Sequence, residues 1–166
     1  NAIEDVCMWI IMWNQEDKDL PKNKRKKIVL FVNTDGGDCL TGGMILSAIK
    51  HSITPVVTVG LGKCNSMGSY ILAAGHERYC FPSTILLYHD GQTGYVSSGN
   101  KGKDVQRFFD RLNDIQTKFM VENTKLTEEF IEENKDRELY LFADEIKAYG
   151  VVDKIIGVDC SIDAIL

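Results

Sequence analysis

The sequence has few prolines, no paired cysteine motif and no long apolar run. Three prolines in 166 residues exclude a proline-rich or collagen-like chain. The five cysteines are odd in number and contain no CxxC pair, which argues against a disulfide framework and a zinc site. The apolar run Val6–Trp13 is far shorter than the ~20 residues that span a bilayer. We therefore expect reduced thiols, a cytoplasmic location and no membrane partner.

An excess of positive charge is also missing. Nineteen basic residues face 24 acidic ones, which gives a formal charge of −5. Such a chain has no general attraction for phosphate backbones, so we expect no nucleic-acid partner and interpret the basic run 22–27 as a solvated loop. The length predicts one domain covering residues 1–166. Because the first residue is Asn1 and not Met, we expect that the chain is a fragment of a longer protein.

The first half of the chain alternates between helical and strand-like patterns. Helices are predicted at 1–14, 41–51 and 67–74, and strands at 28–33, 55–60 and 85–88, with a small-residue turn at 63–69. The first helix and the first strand are rich enough in apolar residues to be buried, the strand on both faces. This order predicts an α/β fold with a mostly parallel sheet.

The second half begins with a glycine-rich segment, 91–103, which predicts a surface loop or ribbon. Apolar side chains at helical spacing predict a long helix over 104–125. Its stripe indicates either ordinary core packing or an exposed interface. Thr127 is the predicted cap of a shorter helix over 128–135, and a last strand is expected at 154–156.

Three features could supply hydrolytic chemistry. Ser66 lies among small residues between a predicted strand and a helix, a context that suits either a helix cap or an exposed nucleophile. His89 ends an apolar strand and is the residue type that serves as a general base for serine. Gly36 and Gly37 follow another strand and form either a tight turn or a source of N–H donors for an oxyanion. The two remaining histidines are expected at the surface or as helix caps.

Three segments together resemble the proteolytic subunit of the Clp protease, a serine peptidase of the crotonase-like superfamily. The segments are FVNTDGGDCLTGGM (31–44), NSMGSYILAAG (65–75) and LYLFADEIKAYGVVDKI (139–155). The resemblance implies the fold of that family, with repeated strand–helix units, a mostly parallel sheet and a protruding handle helix over roughly 91–125. It also implies serine endopeptidase activity on unfolded polypeptides, with no metal or organic cofactor.

The resemblance assigns roles to individual residues. Ser66 falls on the nucleophile and His89 on the general base. The backbone N–H of Met67, with that of Gly36 or Gly37, falls on the oxyanion hole. The substrate is expected to bind as an added strand along 91–96.

The third triad position departs from the family, which has Asp or sometimes Asn there. Glu138 stands at this position, Asp136 is the second candidate, and a third reading leaves His89 without an acidic partner. Asp35 also replaces a family proline, and Asp90 follows His89 where the family usually has Gln. These departures indicate a divergent member.

The resemblance further implies a homo-oligomer of seven-subunit rings stacked in pairs, and an ATP-driven unfoldase as a partner. The residues that precede Asn1 would form the family's pore loops. Two alternatives stay open: a degenerate subunit that assembles without cleaving, and an acyl-CoA enzyme of the crotonase type. The second uses an oxyanion hole without a nucleophilic serine, so the Ser66–His89 pair argues against it.

Overall fold

A computed structural model describes residues 2–91 and 96–166 of the chain and contains one six-stranded sheet with helices packed on it. The strands are β1 (Ile28–Thr34), β2 (Val56–Asn65), β3 (Glu77–Cys80), β4 (Ile85–Tyr88), β5 (Leu139–Phe142) and β6 (Lys154–Ile155). The α-helices are α1 (Ala2–Asp17), α2 (Cys39–Lys50), α3 (Met67–Ala73), α4 (Gly99–Asn123), α5 (Glu128–Glu133) and α6 (Ala143–Ala148).

The sheet is mixed and mostly parallel. Its strand order is β5-β4-β2-β3-β6, and β1 pairs with β2 beside that path. Only the β4–β5 pair is antiparallel among the pairs that the described residues form. The prediction of an α/β fold with a mostly parallel sheet is therefore confirmed.

Strand β2 is the centre of the sheet because its two halves have different neighbours. Its first half lies between β1 and β3, and its second half, from Lys63 to Asn65, pairs with β4. The β1–β2 register shifts around Gly62, whose φ of +84° favours glycine. The prediction of a strand that ends at residue 60 was wrong, because β4 continues the ladder as far as Asn65.

Three short elements escaped sequence prediction: β3, β5 and α6. Both strands are only four residues long, so their alternation is too brief to stand out. The handle helix α4 begins at Gly99, so residues 99–103 are helical and the prediction of a loop across all of 91–103 was wrong there. Residues 92–95 of that predicted loop lie outside the described residues.

Helix α1 is less buried than its composition predicts. Cys7 and Ile10 are its buried residues, whereas five large apolar side chains are 43–55% exposed: Met8, Trp9, Ile11, Met12 and Trp13. The reason is that α1 packs mainly against α2, which covers one side of it. Strand β1 is likewise not buried on both faces throughout, since Phe31 is 52% exposed.

The described cysteines are free thiols, and Cys7, Cys64 and Cys80 are buried. Burial raises the pKa of Cys64 and of Cys80 to about 12, so both remain protonated at neutral pH. No helix among the described residues is long and apolar enough to cross a bilayer.

The contact between α2 and α3 requires a glycine at one position of α2. A Cβ atom added at Gly42 would lie 2.2 Å from Cγ and 2.6 Å from Sδ of Met67, the first residue of α3. A Cβ atom added at the adjacent Gly43 would meet nothing within 4 Å. The two neighbouring glycines therefore form a matched pair for testing this packing.

We expect Gly42→Ala to lower the free energy of unfolding by about 1–3 kcal/mol, because the added methyl group overpacks the helix contact. Gly43→Ala is expected to raise it by about 0.5–1 kcal/mol, since alanine favours the helix. Urea titrations of both variants at one protein concentration measure the difference. Equal effects of the two substitutions would contradict this description of the α2–α3 contact.

Candidate active site

Ser66 occupies a strained turn between β2 and α3. Its φ and ψ are +52° and −120°, a combination that L-residues rarely adopt and that costs roughly 1–3 kcal/mol. The Ser66 N–H donates to the carbonyl oxygen of Leu87 at 2.7 Å, and the Ser66 carbonyl accepts from N and Oγ of Ser69 at 2.9 and 2.7 Å. These bonds hold the turn through its backbone.

The hydroxyl of Ser66 is not used as a helix cap. Ser66 is the N-cap residue of α3, but its side chain makes no capping hydrogen bond. Capping was the structural alternative to a nucleophile, and the geometry removes it. A sharp strand-to-helix turn with a free hydroxyl is the arrangement that exposes a serine nucleophile in other hydrolase folds.

The glycine loop after β1 lies directly against this turn. Gly36 has a φ of +95°, and a Cβ atom there would lie 2.6 Å from Cβ of Ser66 and 3.0 Å from N of Met67. Gly36 and Gly37 line a cavity of about 110 Å³ together with Met67. Only a glycine allows the loop to approach Ser66 this closely.

The backbone N–H groups of the residues predicted for the oxyanion hole differ in their hydrogen bonding. The Gly36 N–H already donates to Oγ1 of Thr34 at 3.1 Å. Among the described residues, no acceptor is found for the N–H of Gly37 or of Met67. The sequence left Gly36 and Gly37 as alternatives, and this difference in hydrogen bonding favours Gly37.

Side chains from β1 and β2 hold the glycine loop in place. Oδ1 of Asn33 accepts the N–H of Lys63 at 3.1 Å, where the β1–β2 register shifts. Nζ of Lys63 pairs with Asp35 at 2.5 Å on the exposed surface. Asp35, which stands where the resembled family has proline, thus has a partner of its own.

His89 follows the last residue of β4, next to the end of β2. Asn65 of β2 pairs with Leu87 of β4 in parallel register, so Ser66 and His89 extend from the same edge of two neighbouring strands. Open parallel sheets bind ligands at such an edge. His89 is partly buried, and among the described residues neither its ring nor Oγ of Ser66 has a hydrogen-bond partner.

Glu138 precedes β5, which pairs with β4. Tyr88 lies opposite Leu139 in this antiparallel ladder, so continuing the register by one residue sets His89 across from Glu138. The ladder itself ends at the Tyr88–Leu139 pair, so His89 and Glu138 are the next residues beyond it. The Glu138 carboxylate instead accepts the hydroxyl of Tyr140 at 3.0 Å, a bond that raises the pKa of that phenol.

Asp136, the second candidate, lies in an exposed turn before Glu138. Its φ is +59°, and its N–H donates to the carboxylate of Asp90. In the register that sets Glu138 opposite His89, Asp136 lies two residues beyond Glu138 along the same segment. Neither acid is hydrogen-bonded to His89, so the complete triad stays a prediction.

The two other histidines have structural surroundings, as expected. Nδ1 of His51, at the end of α2, lies 2.9 Å from the carbonyl oxygen of Ser47. Nδ1 of His76 accepts the N–H of Val56 at 3.0 Å, and partial burial lowers the pKa of His76. Each of the two rings therefore contacts a backbone group that does not belong to the Ser66 turn.

Two residues beside the candidate site have surroundings that sequence reasoning did not predict. Oδ1 of Asn65, immediately before Ser66, is buried and has no hydrogen-bond partner in the described chain. Asp90, immediately after His89, binds the turn before Glu138. Their adjacency to Ser66 and His89 was visible, but their contacts depend on strand pairing that the sequence did not reveal. No cluster of three or more metal-ligating side chains is found within residues 2–91 and 96–166.

Comparison with known families matches the Clp protease family over residues 18–159. Since this covers most of the chain, the protein belongs to the Clp protease family, and the resemblance found in the sequence is confirmed. The mixed, mostly parallel sheet agrees with the fold of that family. Members of the family are typically serine proteases and usually form oligomeric rings.

Proposed function

We propose that the protein is a serine endopeptidase that cleaves unfolded polypeptides. The observation that carries the proposal is the conformation of Ser66, whose strained backbone leaves its hydroxyl uncapped in a turn against which the Gly36–Gly37 loop packs. Strain of this kind is retained where the surrounding structure enforces it, and it is concentrated at functional sites.

In the proposed mechanism, Oγ of Ser66 attacks the scissile carbonyl carbon while His89 accepts the hydroxyl proton. The N–H groups of Gly37 and Met67 donate to the oxyanion that forms. His89 then protonates the leaving amine. In the second step His89 accepts a proton from water, which attacks the acyl carbon, and returns it to Oγ of Ser66 as the acid product leaves. Loss of one oxyanion donor costs roughly 100- to 1000-fold in rate in such sites.

Glu138 is the proposed partner of His89. Its carboxylate has to leave Tyr140 and turn toward the imidazole, a change of rotamer at an exposed residue. A carboxylate there would fix the tautomer and stabilise the imidazolium. Hydrogen bonds of catalytic groups are often completed only when substrate is bound.

A fluorophosphonate probe tests the nucleophile directly. We expect covalent labelling of the wild-type protein at Ser66, and its loss in Ser66→Ala and His89→Ala, because the probe requires an activated serine. Ser83→Ala, in the exposed turn between β3 and β4, is the matched control and should label normally. Labelled peptides are identified by mass spectrometry.

Absence of labelling in the assembled protein would contradict the peptidase proposal and favour the degenerate, structural subunit. Saturable acyl-CoA binding without labelling would favour the crotonase-type alternative. Cleavage of a fluorogenic peptide by the wild type, and not by Ser66→Ala, would support hydrolysis of amide bonds in particular.

We also propose that the chain assembles into seven-subunit rings that stack in pairs, as its family membership suggests. The uncovered apolar side chains of α1 support an assembly, and so does the stripe on α4, where Phe108 and Ile115 are 47% and 55% exposed. An ATP-driven unfoldase is the proposed partner that delivers substrates. The proposed substrate strand, 91–96, includes residues 92–95, which the structure does not describe.

Sedimentation velocity tests the assembly. The wild type is expected to sediment as a large multiple of 18.7 kDa, and Trp9→Glu as smaller species, because a buried charge in the contact is costly. Asp5→Asn on the same helix is the control and should leave the distribution unchanged. A monomeric wild type at tens of micromolar would contradict the proposal.

A further inference from the structure

The carboxylate of Asp90 holds the turn that precedes β5. The Asp136 N–H lies 3.1 Å from Oδ1 and 3.2 Å from Oδ2 of Asp90. A hydrogen bond to an ionised carboxylate is roughly twice as strong as one between neutral groups. Asp136 has a φ of +59°, a left-handed conformation in which aspartate is more frequent than most other non-glycine residues.

Both ends of this contact adjoin the proposed triad. Asp90 follows His89 directly, and Asp136 lies two residues before Glu138. The β4–β5 ladder ends at the Tyr88–Leu139 pair, so His89 and Glu138 lie just beyond its last pair. The Asp90–Asp136 hydrogen bond therefore connects the segment after β4 to the segment before β5, beyond His89 and Glu138.

The β4–β5 ladder alone is a weak restraint on the segment that precedes β5. It contains four residue pairs, and β5 is at the edge of the sheet with β4 as its only neighbour among the described strands. Without a contact beyond Tyr88, the segment before β5 could separate from the end of β4. A closed loop of contacts on both sides of His89 and Glu138 restricts their separation.

We propose that Asp90 is a positioning residue that acts through Glu138: its carboxylate fixes the 136–138 segment so that Glu138 can reach His89. This inference rests on the proposed peptidase function.

Peptidase kinetics in a double-mutant cycle test the proposal. Asp90→Ala is expected to lower kcat roughly 10- to 100-fold with little change in KM, because a misplacement of about 1 Å near reacting groups has effects of this size. In a Glu138→Gln background the same substitution should have no further effect, since the residue through which Asp90 acts is already disabled. Asp90→Asn keeps an acceptor oxygen and should restore most of kcat.

The remaining outcomes are equally decisive. Wild-type kcat in Asp90→Ala, or the same fold loss in both backgrounds, overturns the proposal. Loss of activity in Asp90→Asn equal to that in Asp90→Ala also overturns it, because the charge and not the hydrogen bond would then be responsible. Asp19→Ala, in the exposed turn after α1, is the matched control for removing an aspartate.

Hydrogen exchange separates this proposal from the peptidase function. The amide of Asp136 should exchange slowly in the wild type and markedly faster in Asp90→Ala, whether or not the protein cleaves peptides. Equal exchange in both proteins would show that the Asp90–Asp136 hydrogen bond is absent and overturn the inference. A wild type without turnover but with the expected exchange difference would instead count against the peptidase function alone.

Discussion

The position of Ser66 depends on one backbone hydrogen bond, from its N–H to the carbonyl oxygen of Leu87. This bond continues the β2–β4 ladder one residue past its last strand pair, to the point where β2 turns into α3. It connects the proposed nucleophile to β4, the strand that directly precedes His89. If the bond were lost, the strained turn would relax and the two side chains would no longer extend from a common edge.

The other contacts of the site support this arrangement from two sides. On one side, Gly36 approaches Ser66 so closely that an added methyl group would not fit, and Gly36, Gly37 and Met67 line one cavity. On the other side, β5 pairs with β4 up to the Tyr88–Leu139 pair, directly before His89 and Glu138. In the proposed mechanism the first side uses backbone N–H groups, whereas the second requires the exposed Glu138 carboxylate to leave Tyr140.

Sequence reasoning predicted those parts of the fold whose signals are local. The helices at 2–17 and 39–50 and the strand at 28–34 have long or strongly apolar patterns, and they are present within a few residues of the expected bounds. The short β3 and β5 have no such signal, because pairing across the sheet creates them. The exposure of α1 was missed because composition cannot tell which neighbours cover a helix.

Parts of the candidate site could also be predicted from the sequence, and other parts could not. Ser66, His89 and the glycine pair could be selected from residue type and context, and family resemblance connected them. The strained φ of Ser66, the prior use of the Gly36 N–H by Thr34, and the contact of Asp90 with Asp136 could not be predicted. The Asp90–Asp136 contact joins segments that are far apart in the chain, and the other two depend on backbone geometry that residue types alone do not determine.

A peptidyl chloromethyl ketone tests the central claim that Ser66 and His89 belong to one active site and react with the same bound substrate. Ser66 Oγ would add to the ketone carbonyl, and a ring nitrogen of His89 would displace chloride, so the protein gains the mass of the reagent less HCl. We expect one adduct, mapped to His89 by mass spectrometry and lost in Ser66→Ala. An adduct on His51 or His76, or labelling of His89 that does not depend on Ser66, would contradict the account.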